Sequence, residues 1–178
     1  MNILVLGIGN ILLHDEGVGV RAIEELEQRY AFPAGVELLD GGTCGLELLE
    51  PLRNRDLLIV LDAMRNGGPP GSLYRLVDRE VSGHFHTRIT PHQLGISDLL
   101  ATLALTESLP ARLMLFGVEP ADLSTGLGLS APVAQALPQV VAAVVAELKS
   151  CGLEPVASSA GVQGFWATQE SFPKEATP

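Results

Sequence analysis

The stretch that most constrains the fold is an apolar run, residues 3–6, followed at once by a glycine-rich loop over residues 7–19. A short Ile/Leu/Val run of this kind predicts a strand buried on both faces, as in parallel sheets covered by helices. The glycines allow a tight turn, and Asp15 and Glu16 come just before a segment with helical spacing. The partial positive charge of a helix N-terminus favours acids there. Helix capping explains one acid and leaves the other available for chemistry.

The loop also matches part of the dinucleotide-binding pattern G-x-G-x-x-G. Gly7 and Gly9 supply the first two glycines, but Leu12 stands in place of the third. Carboxylates follow where a pyrophosphate would have to approach. A non-enzymatic module that binds a nucleotide or a metal at this loop is therefore an alternative that the pattern supports weakly.

Further apolar runs indicate an α/β domain with parallel strands covered by helices. Only 4% of the residues are aromatic although 47% are apolar, so the core must be aliphatic. Strands are predicted at 36–39, 57–61 and 112–118, with an edge strand at 72–78, and helices at 18–30, 45–53, 91–106 and 132–149. Pro138 must kink the last helix or mark its start. We expect one domain over residues 1–150 and a poorly ordered tail, rich in small residues, over 151–178.

Charge and hydropathy exclude several classes of partner. The net charge of −10 argues against nucleic acid, which needs a clustered basic surface. No segment reaches the roughly 18 unbroken apolar residues of a membrane span. The two cysteines, Cys44 and Cys151, form neither a disulfide framework nor a CxxC metal site. These features predict a cytoplasmic protein that does not bind nucleic acid or membranes, and we expect a monomer.

Three acids and a histidine are predicted to meet at one edge of the sheet. If the strands are parallel, Glu16, Asp40 and Asp62 lie at their carboxyl ends, where α/β proteins bind ligands, and His92 begins a later helix that reaches the same edge. Such mixed oxygen and nitrogen ligands suit zinc, nickel, iron or manganese. Each residue also has a structural explanation: a capping acid, an Asx turn, a strand end and a surface histidine, respectively.

Other histidines and one cysteine give weaker signals. His84 and His86 would lie on the same side of an extended segment, but in a polar loop without a third ligand. Cys44 precedes a predicted helix, whose dipole would lower the pKa of a thiol. A cysteine hydrolase that uses Cys44 and His92 is therefore a second enzymatic alternative, although no oxyanion-hole pattern accompanies it.

Four blocks in the same order and spacing resemble the hydrogenase maturation proteases. They are the opening loop Gly7-x-Gly9-Asn10 with Asp15-Glu16, then Asp40-Gly41-Gly42-Thr43, Asp62-Ala63, and Pro91-His92-Gln93-Leu94-Gly95. The resemblance extends from Met1 to about Leu148. It implies a single-domain three-layer sandwich, with a twisted, mostly parallel sheet flanked by helices.

The resemblance also implies an activity and roles for single residues. Members of this family are endopeptidases that remove a short C-terminal peptide from the precursor of the nickel–iron hydrogenase large subunit after nickel insertion. Glu16, Asp62 and His92 match the family's metal-binding positions. Asp40 matches the acid of its Asp-Gly-Gly segment and is a candidate for catalysis, with Gly41, Gly42 and Thr43 as candidates for substrate binding. His14 occupies a variable position; we expect a free loop side chain, with a fourth ligand as the alternative. We expect the nickel to arrive with the substrate as a recognition element, because two carboxylates and one histidine make a modest site for a resident ion.

Overall fold

The centre of the fold is a five-stranded sheet. The structure, a computed structural model, describes residues 1–81, 83 and 91–158, and only the backbone of 91–95. In chain order the strands are β1 (Ile3–Ile8), β2 (Tyr30–Ala31), β3 (Val36–Gly42), β4 (Leu57–Ala63), β5 (Leu73–Val77), β6 (Leu113–Val118) and β7 (Val156–Ala157). The helices include α1 (Val18–Arg29), α2 (Leu49–Leu52), α3 (Pro91–Leu105) and α4 (Ala131–Ser150). Single 3-10 turns, His14–Gly17 and Leu46–Leu48, precede α1 and α2.

The strand order is β3-β1-β4-β6-β5. The first four strands are parallel and β5 is antiparallel to β6, as expected of an edge strand. The predicted fold class, an α/β sandwich with a mostly parallel sheet between helices, is therefore confirmed. Strand β3 is longer than predicted and runs to Gly42, with a shift in its register with β1 at Gly41 and a local Asx-type contact between Asp40 and Gly42.

The core is divided by the sheet into two aliphatic layers. Every residue of β1 and β4 is buried, because helices cover both faces of these strands. Side chains alternate along a strand, so Ile3 and Val5 pack with α1 and α4, whereas Leu4 and Leu6 pack with α2 and α3. The two layers place α1 and α3 on opposite faces of the sheet.

Helix α4 runs through Pro138 without a break in its helical assignment. The predicted helix over 132–149 is therefore confirmed and the alternative start near Pro138 is excluded, since α4 begins at Ala131 with Pro132 in its first turn, where no N–H is needed. Among the described helices, α4 has the length and apolar composition of a membrane span. Its buried side chains, however, pack along the sheet as those of a core helix.

The chain after α4 is described as far as Ser158. Its short strand β7 pairs antiparallel with β2, and the Ser158 N–H donates to the carbonyl of Arg29 at 2.8 Å. These residues belong to the predicted tail, 151–178, and are held against the end of α1. Residues 159–178 lie outside the described part, so the boundary at residue 150 stays a prediction.

Candidate active site

The loop after β1 lies directly against the carboxyl ends of the strands, because the glycines at the points of contact have no side chains. A Cβ on Gly19, in the first turn of α1, would lie 2.1 Å from the carbonyl oxygen of Leu61 and 2.5 Å from that of Ile8. Gly9 has φ of 128° and would place a Cβ 1.8 Å from the carbonyl oxygen of Glu16. These glycines therefore pack against the chain's own backbone, which gives a structural reason for their presence in the loop.

Asp15 does not cap α1, although sequence reasoning allowed this. The N-cap residue of α1 is Gly17, without a side-chain hydrogen bond. The Asp15 carboxylate is fully buried and accepts hydrogen bonds from the N–H groups of Ala121 at 2.8 Å and Asp122 at 2.9 Å. It also accepts from the N–H and the hydroxyl of Ser130, at 2.7 and 2.8 Å. Asp15 thus holds the loop before α4 against the loop before α1.

Glu16 and Asp62 are the buried acids that the sequence assigns to metal binding. Glu16 is only 8% exposed and Asp62 only 2%. Asp62 is the next-to-last residue of β4 and pairs in register with Gly117. By alternation its side chain lies on the same face as that of Val60, which packs with α3. Asp62 therefore lies at the carboxyl edge, on the α3 face of the sheet.

The backbone of His92 belongs to the first turn of α3. The other end of α3 is at the amino edge of the sheet, since the Ser108 carbonyl just after the helix accepts from the N–H of Asn54, just before β4. A helix of 15 residues is about 22 Å long, roughly the length of the strands it covers. The first turn of α3 is therefore near the carboxyl edge, on the face of Asp62. The His92 side chain is outside the described part of the chain.

Asp40 lies on the opposite face of the sheet from Asp62. It pairs with Gly7, whose missing Cβ would point at Gly19 and Ile23 of α1. The pKa of Glu27, which is also on α1, is raised mainly by partial burial and secondly by the negative charge of Asp40. The Asp40 side chain is exposed, and its Oδ1 accepts from the Gly42 N–H at 2.9 Å, the Asx-type contact that the sequence suggests. The register thus separates Asp40 from the pair formed by Asp62 and the start of α3.

The segment after Asp40 combines buried and exposed groups. Gly41 is buried, Gly42 is partly buried with φ of 46°, and Thr43 is exposed. A turn follows, in which the Cys44 N–H donates to the carbonyl of Gly41 at 2.8 Å. The segment therefore leaves the sheet at the carboxyl edge and turns back at once.

Sequence reasoning missed a fourth acid at this edge, Glu119, directly after β6. It is 7% exposed, and its Oε2 accepts from the N–H groups of Asn66 at 2.7 Å and Gly68 at 3.3 Å and from the Tyr74 hydroxyl at 2.9 Å. Burial by itself raises the pKa of this carboxyl, but the hydrogen bonds outweigh it and hold the pKa below its usual value. The sequence signal that could have identified Glu119 is its position directly after a predicted strand. Glu119 fixes the loop that follows Asp62.

The remaining candidates have other surroundings. His14 hydrogen-bonds through Nδ1 with the Gly128 carbonyl at 3.1 Å, so this ring nitrogen holds a loop. Cys44 is exposed and unbridged. His84 and His86 are outside the described residues. Within the part of the chain whose side chains are described, no three His, Cys, Asp or Glu residues form a metal-binding group. A three-ligand site at Glu16 and Asp62 would therefore need His92.

The arrangement can perform two kinds of chemistry. Two buried carboxylates at this edge, with the start of a helix that carries a histidine on the face of Asp62, are groups of the types that bind a divalent cation. Asp40, an exposed carboxylate on β3 and two strands away from Asp62, can accept a proton or a hydrogen bond from a peptide at the same edge.

Comparison with known proteins assigns the family. The model of the hydrogenase maturation protease family, HycI, matches residues 20–147. The chain is 46% identical over 157 residues to the hydrogenase 2 maturation protease of Escherichia coli strain K12, covering 88% of this chain and 96% of that protein. It is 45% identical over 154 residues to the hydrogenase expression/formation protein HupM of Azotobacter chroococcum, covering 85% and 74%.

Solved structures give the same result. The hydrogenase maturating endopeptidase HybD from E. coli has a TM-score of 0.86 at 46% identity, covering 89% of this chain and 99% of that one. The maturation protease HybD from Thermococcus kodakarensis has a TM-score of 0.68 at 26% identity, covering 83% and 99%. The chain therefore belongs to the family of hydrogenase maturation proteases and is a hydrolase that acts on peptide bonds.

Proposed function

We propose that this protease removes a short C-terminal peptide from the precursor of the nickel–iron hydrogenase large subunit once nickel has been inserted. One observation carries the metal part of the proposal. Glu16 and Asp62 are 8% and 2% exposed at the carboxyl edge, and the first turn of α3, with His92, is at that edge on the face of Asp62. Carboxylates at the carboxyl edge of a parallel sheet lie where α/β proteins bind their ligands, which supports a role in metal recognition.

Nickel is proposed to belong to the substrate, as the mark of a completed precursor. Carboxylate oxygens and an imidazole nitrogen are ligand types that nickel accepts. Three ligands leave further coordination positions for groups that the precursor supplies. Glu16, Asp62 and His92 would then bind productively only to a nickel-loaded precursor. The same contact would identify the substrate and delay its cleavage until nickel has been inserted.

Asp40 and the residues after it are proposed to handle the peptide itself. Asp40 and Thr43 are exposed at the carboxyl edge, and Gly41 and Gly42 leave the strand without bulky side chains. We assign Asp40 a role in catalysis, and Gly41, Gly42 and Thr43 a role in substrate binding. The fixed orientation of Asp40, held by the Gly42 N–H, supports a defined position for its carboxylate.

The proposed setting is the cytoplasm, where the protease acts as a monomer on a protein substrate and binds neither nucleic acid nor membranes. The net charge of −10 and the unbridged cysteines support this setting.

The test is cleavage of the large-subunit precursor, prepared with and without nickel. The mass of the precursor is followed with the wild-type protease and with Glu16→Gln, which keeps the shape of the side chain but removes its charge. We expect the loss of one C-terminal peptide only from nickel-loaded precursor, with Glu16→Gln at least about 100-fold slower, as for loss of a transition-state or docking contact of about 2.7 kcal/mol.

The matched control is Asp98→Asn, which removes an exposed acid further along α3 and should leave the rate unchanged. Equal cleavage of nickel-free precursor would show that the nickel part of the proposal is wrong. If neither precursor is cut by the wild-type protein, the proposed substrate is wrong.

A further inference from the structure

Strand β3 has one side of its backbone paired and the other side available. It is the terminal strand of the five-stranded sheet, next to β1 only. The Ile3 N–H donates to the Gly35 carbonyl at 2.7 Å, so the backbone groups of residue 35 point towards β1. In a parallel strand the N–H and C=O of one residue point to the same side, and the side alternates. The register therefore turns Glu37 and Leu39 towards β1, and Leu38 and Asp40 away from it.

The available side ends at the candidate active site. Beyond Asp40 the outer groups are used locally: the Gly42 N–H donates to Asp40 Oδ1 at 2.9 Å, and the Gly41 carbonyl accepts from Cys44 at 2.8 Å. Among the described residues, no second strand pairs with Leu38 or Asp40 on this side. The outer edge thus leads directly to the exposed carboxylate that we assign to catalysis.

This edge has little protection against pairing before its last residues. Natural edge strands are blocked by proline, by charged side chains, above all lysine, or by β-bulges. Strand β3 reads Val-Glu-Leu-Leu-Asp-Gly-Gly, without proline or lysine, and its one irregularity in register comes at its last residues. The strand at the opposite edge, β5, carries Arg75, which forms an ion pair with Glu147 of α4 at 3.2 Å. A strand whose outer edge is open to pairing can bind a partner in extended form.

We propose that the precursor's peptide binds as an added strand along the outer edge of β3, through the backbone groups of Leu38 and Asp40. This rests on the proposed function, since the occupant is the substrate. An endopeptidase must hold several residues of its substrate in an extended form, and an edge strand binds an extended chain through the main chain. A peptide added here runs along Leu38 to Asp40 and presents its next peptide bond at the carboxyl edge.

Hydrogen exchange of the full-length wild-type protease tests the added strand. The amides of Leu38 and Asp40 should exchange fast in the free protein, whereas those of Glu37 and Leu39, bonded to β1, should exchange slowly. A short labelling pulse in a steady-state excess of nickel-loaded precursor should slow Leu38 and Asp40 at least about tenfold. Glu37 and Leu39 serve as internal controls from the same strand and should not change.

A pair of variants gives a second test from the protein side. Leu38→Pro removes the outward N–H, which an edge strand tolerates because this group makes no bond within the sheet. Leu38→Ala loses most of the same side chain but keeps the N–H. We expect kcat/KM for the precursor to be at least about tenfold lower for Leu38→Pro than for Leu38→Ala, as for one lost main-chain hydrogen bond of about 1.4 kcal/mol, because both variants lose the leucine side chain and only Leu38→Pro loses the N–H. Equal kcat/KM values for the two variants would contradict the added strand. If Leu38→Pro does not fold, the exchange experiment decides.

The outcomes separate this proposal from the proposed function. Cleavage of the precursor with unchanged exchange at Leu38 and Asp40 would overturn the added strand and leave the function intact. Slow exchange at both residues in the free protein, together with a dimer mass, would overturn it in favour of a second copy of this chain at the edge. Failure of the wild-type protein to cut any nickel-loaded precursor would overturn both.

Discussion

Buried carboxylates at the carboxyl edge have different roles, which depend on the groups that surround them. The carboxylate of Asp15 accepts all its hydrogen bonds from residues 121–130, and that of Glu119 accepts from the loop after β4 and from Tyr74. Both acids therefore organise loops around Glu16 and Asp62. A sequence alone does not separate acids that build a site from acids that act in it.

Glu119 makes the stability of the protein depend on pH. Its pKa is lower in the folded protein than in the unfolded chain, so its contribution to stability is present above the unfolded pKa and is lost as the pH falls through the folded pKa. Between about pH 7 and pH 3 the free energy of unfolding should therefore fall more steeply for wild type than for Glu119→Gln. Urea unfolding at a series of pH values measures this difference.

Tyr74→Phe provides the graded control. It removes one of the hydrogen bonds that lower the Glu119 pKa, so its pH dependence should lie between those of wild type and Glu119→Gln. Parallel curves for all three proteins would show that Glu119 does not titrate differently in the folded state.

Helix α1 is placed by its contact with two strand ends more than by its own cap. Its N-cap, Gly17, makes no side-chain hydrogen bond, and Gly19 in its first turn lies against the carbonyl groups of Ile8 and Leu61. This contact brings the preceding turn, with Glu16, over the sheet edge. The position of Glu16 thus depends on a glycine that is packed against the backbone of two strand ends.

Gly19→Ala should destabilise the protein by about 3 kcal/mol, because the added Cβ overlaps backbone oxygen atoms that cannot move without disturbing β1 or β4. Helix propensity alone predicts the opposite sign, a gain of about 1 kcal/mol for alanine in a helix. Denaturant unfolding therefore decides between packing and propensity. A more stable variant would mean that α1 does not rest on the strand ends as described.

At the scale of the whole molecule, the apolar runs were sufficient to predict the parallel strands and the edge at which Glu16 and Asp62 lie. The length of β3 was not predictable, because Asp40-Gly-Gly42 favours a local Asx-type contact, which does form, and its additional pairing with β1 depends on a distant part of the chain. The pairing of β2 with β7 joins two-residue strands without any pattern of their own. The partners of Asp15 are 106 to 115 residues away, beyond the reach of a local pattern.

The carboxyl edge and the amino edge of the sheet should contribute differently to substrate binding. Leu12 and Leu127 are 56% and 58% exposed on neighbouring loops at the carboxyl edge, where the Gly126 N–H donates to the Leu12 carbonyl at 2.8 Å. Leu105 and Leu109 are 86% and 45% exposed at the amino edge. Contiguous apolar patches rather than single side chains mark interaction sites, and the loops of Leu12 and Leu127 contact each other.

If the precursor docks over the carboxyl edge, the double variant Leu12→Ser with Leu127→Ser should raise KM about tenfold with little change in kcat, because it removes apolar contact area. The matched double variant Leu105→Ser with Leu109→Ser should cleave like wild type. Steady-state kinetics on nickel-loaded precursor compare them. Equal effects of the two double variants would contradict docking at one end of the sheet.

The hydrogen bonds of Asp15 have a consequence for the order of events during synthesis. Asp15 is made early, but its donors at residues 121–130 leave the ribosome only when most of the chain has been translated. Until then, a carboxylate that must be buried in the folded protein lacks its hydrogen-bond donors, although Gly19 can already pack on Ile8 and Leu61. The burial of Asp15 therefore cannot be completed before residues 121–130 have been made, so the two loops it joins are fixed to each other only late in synthesis.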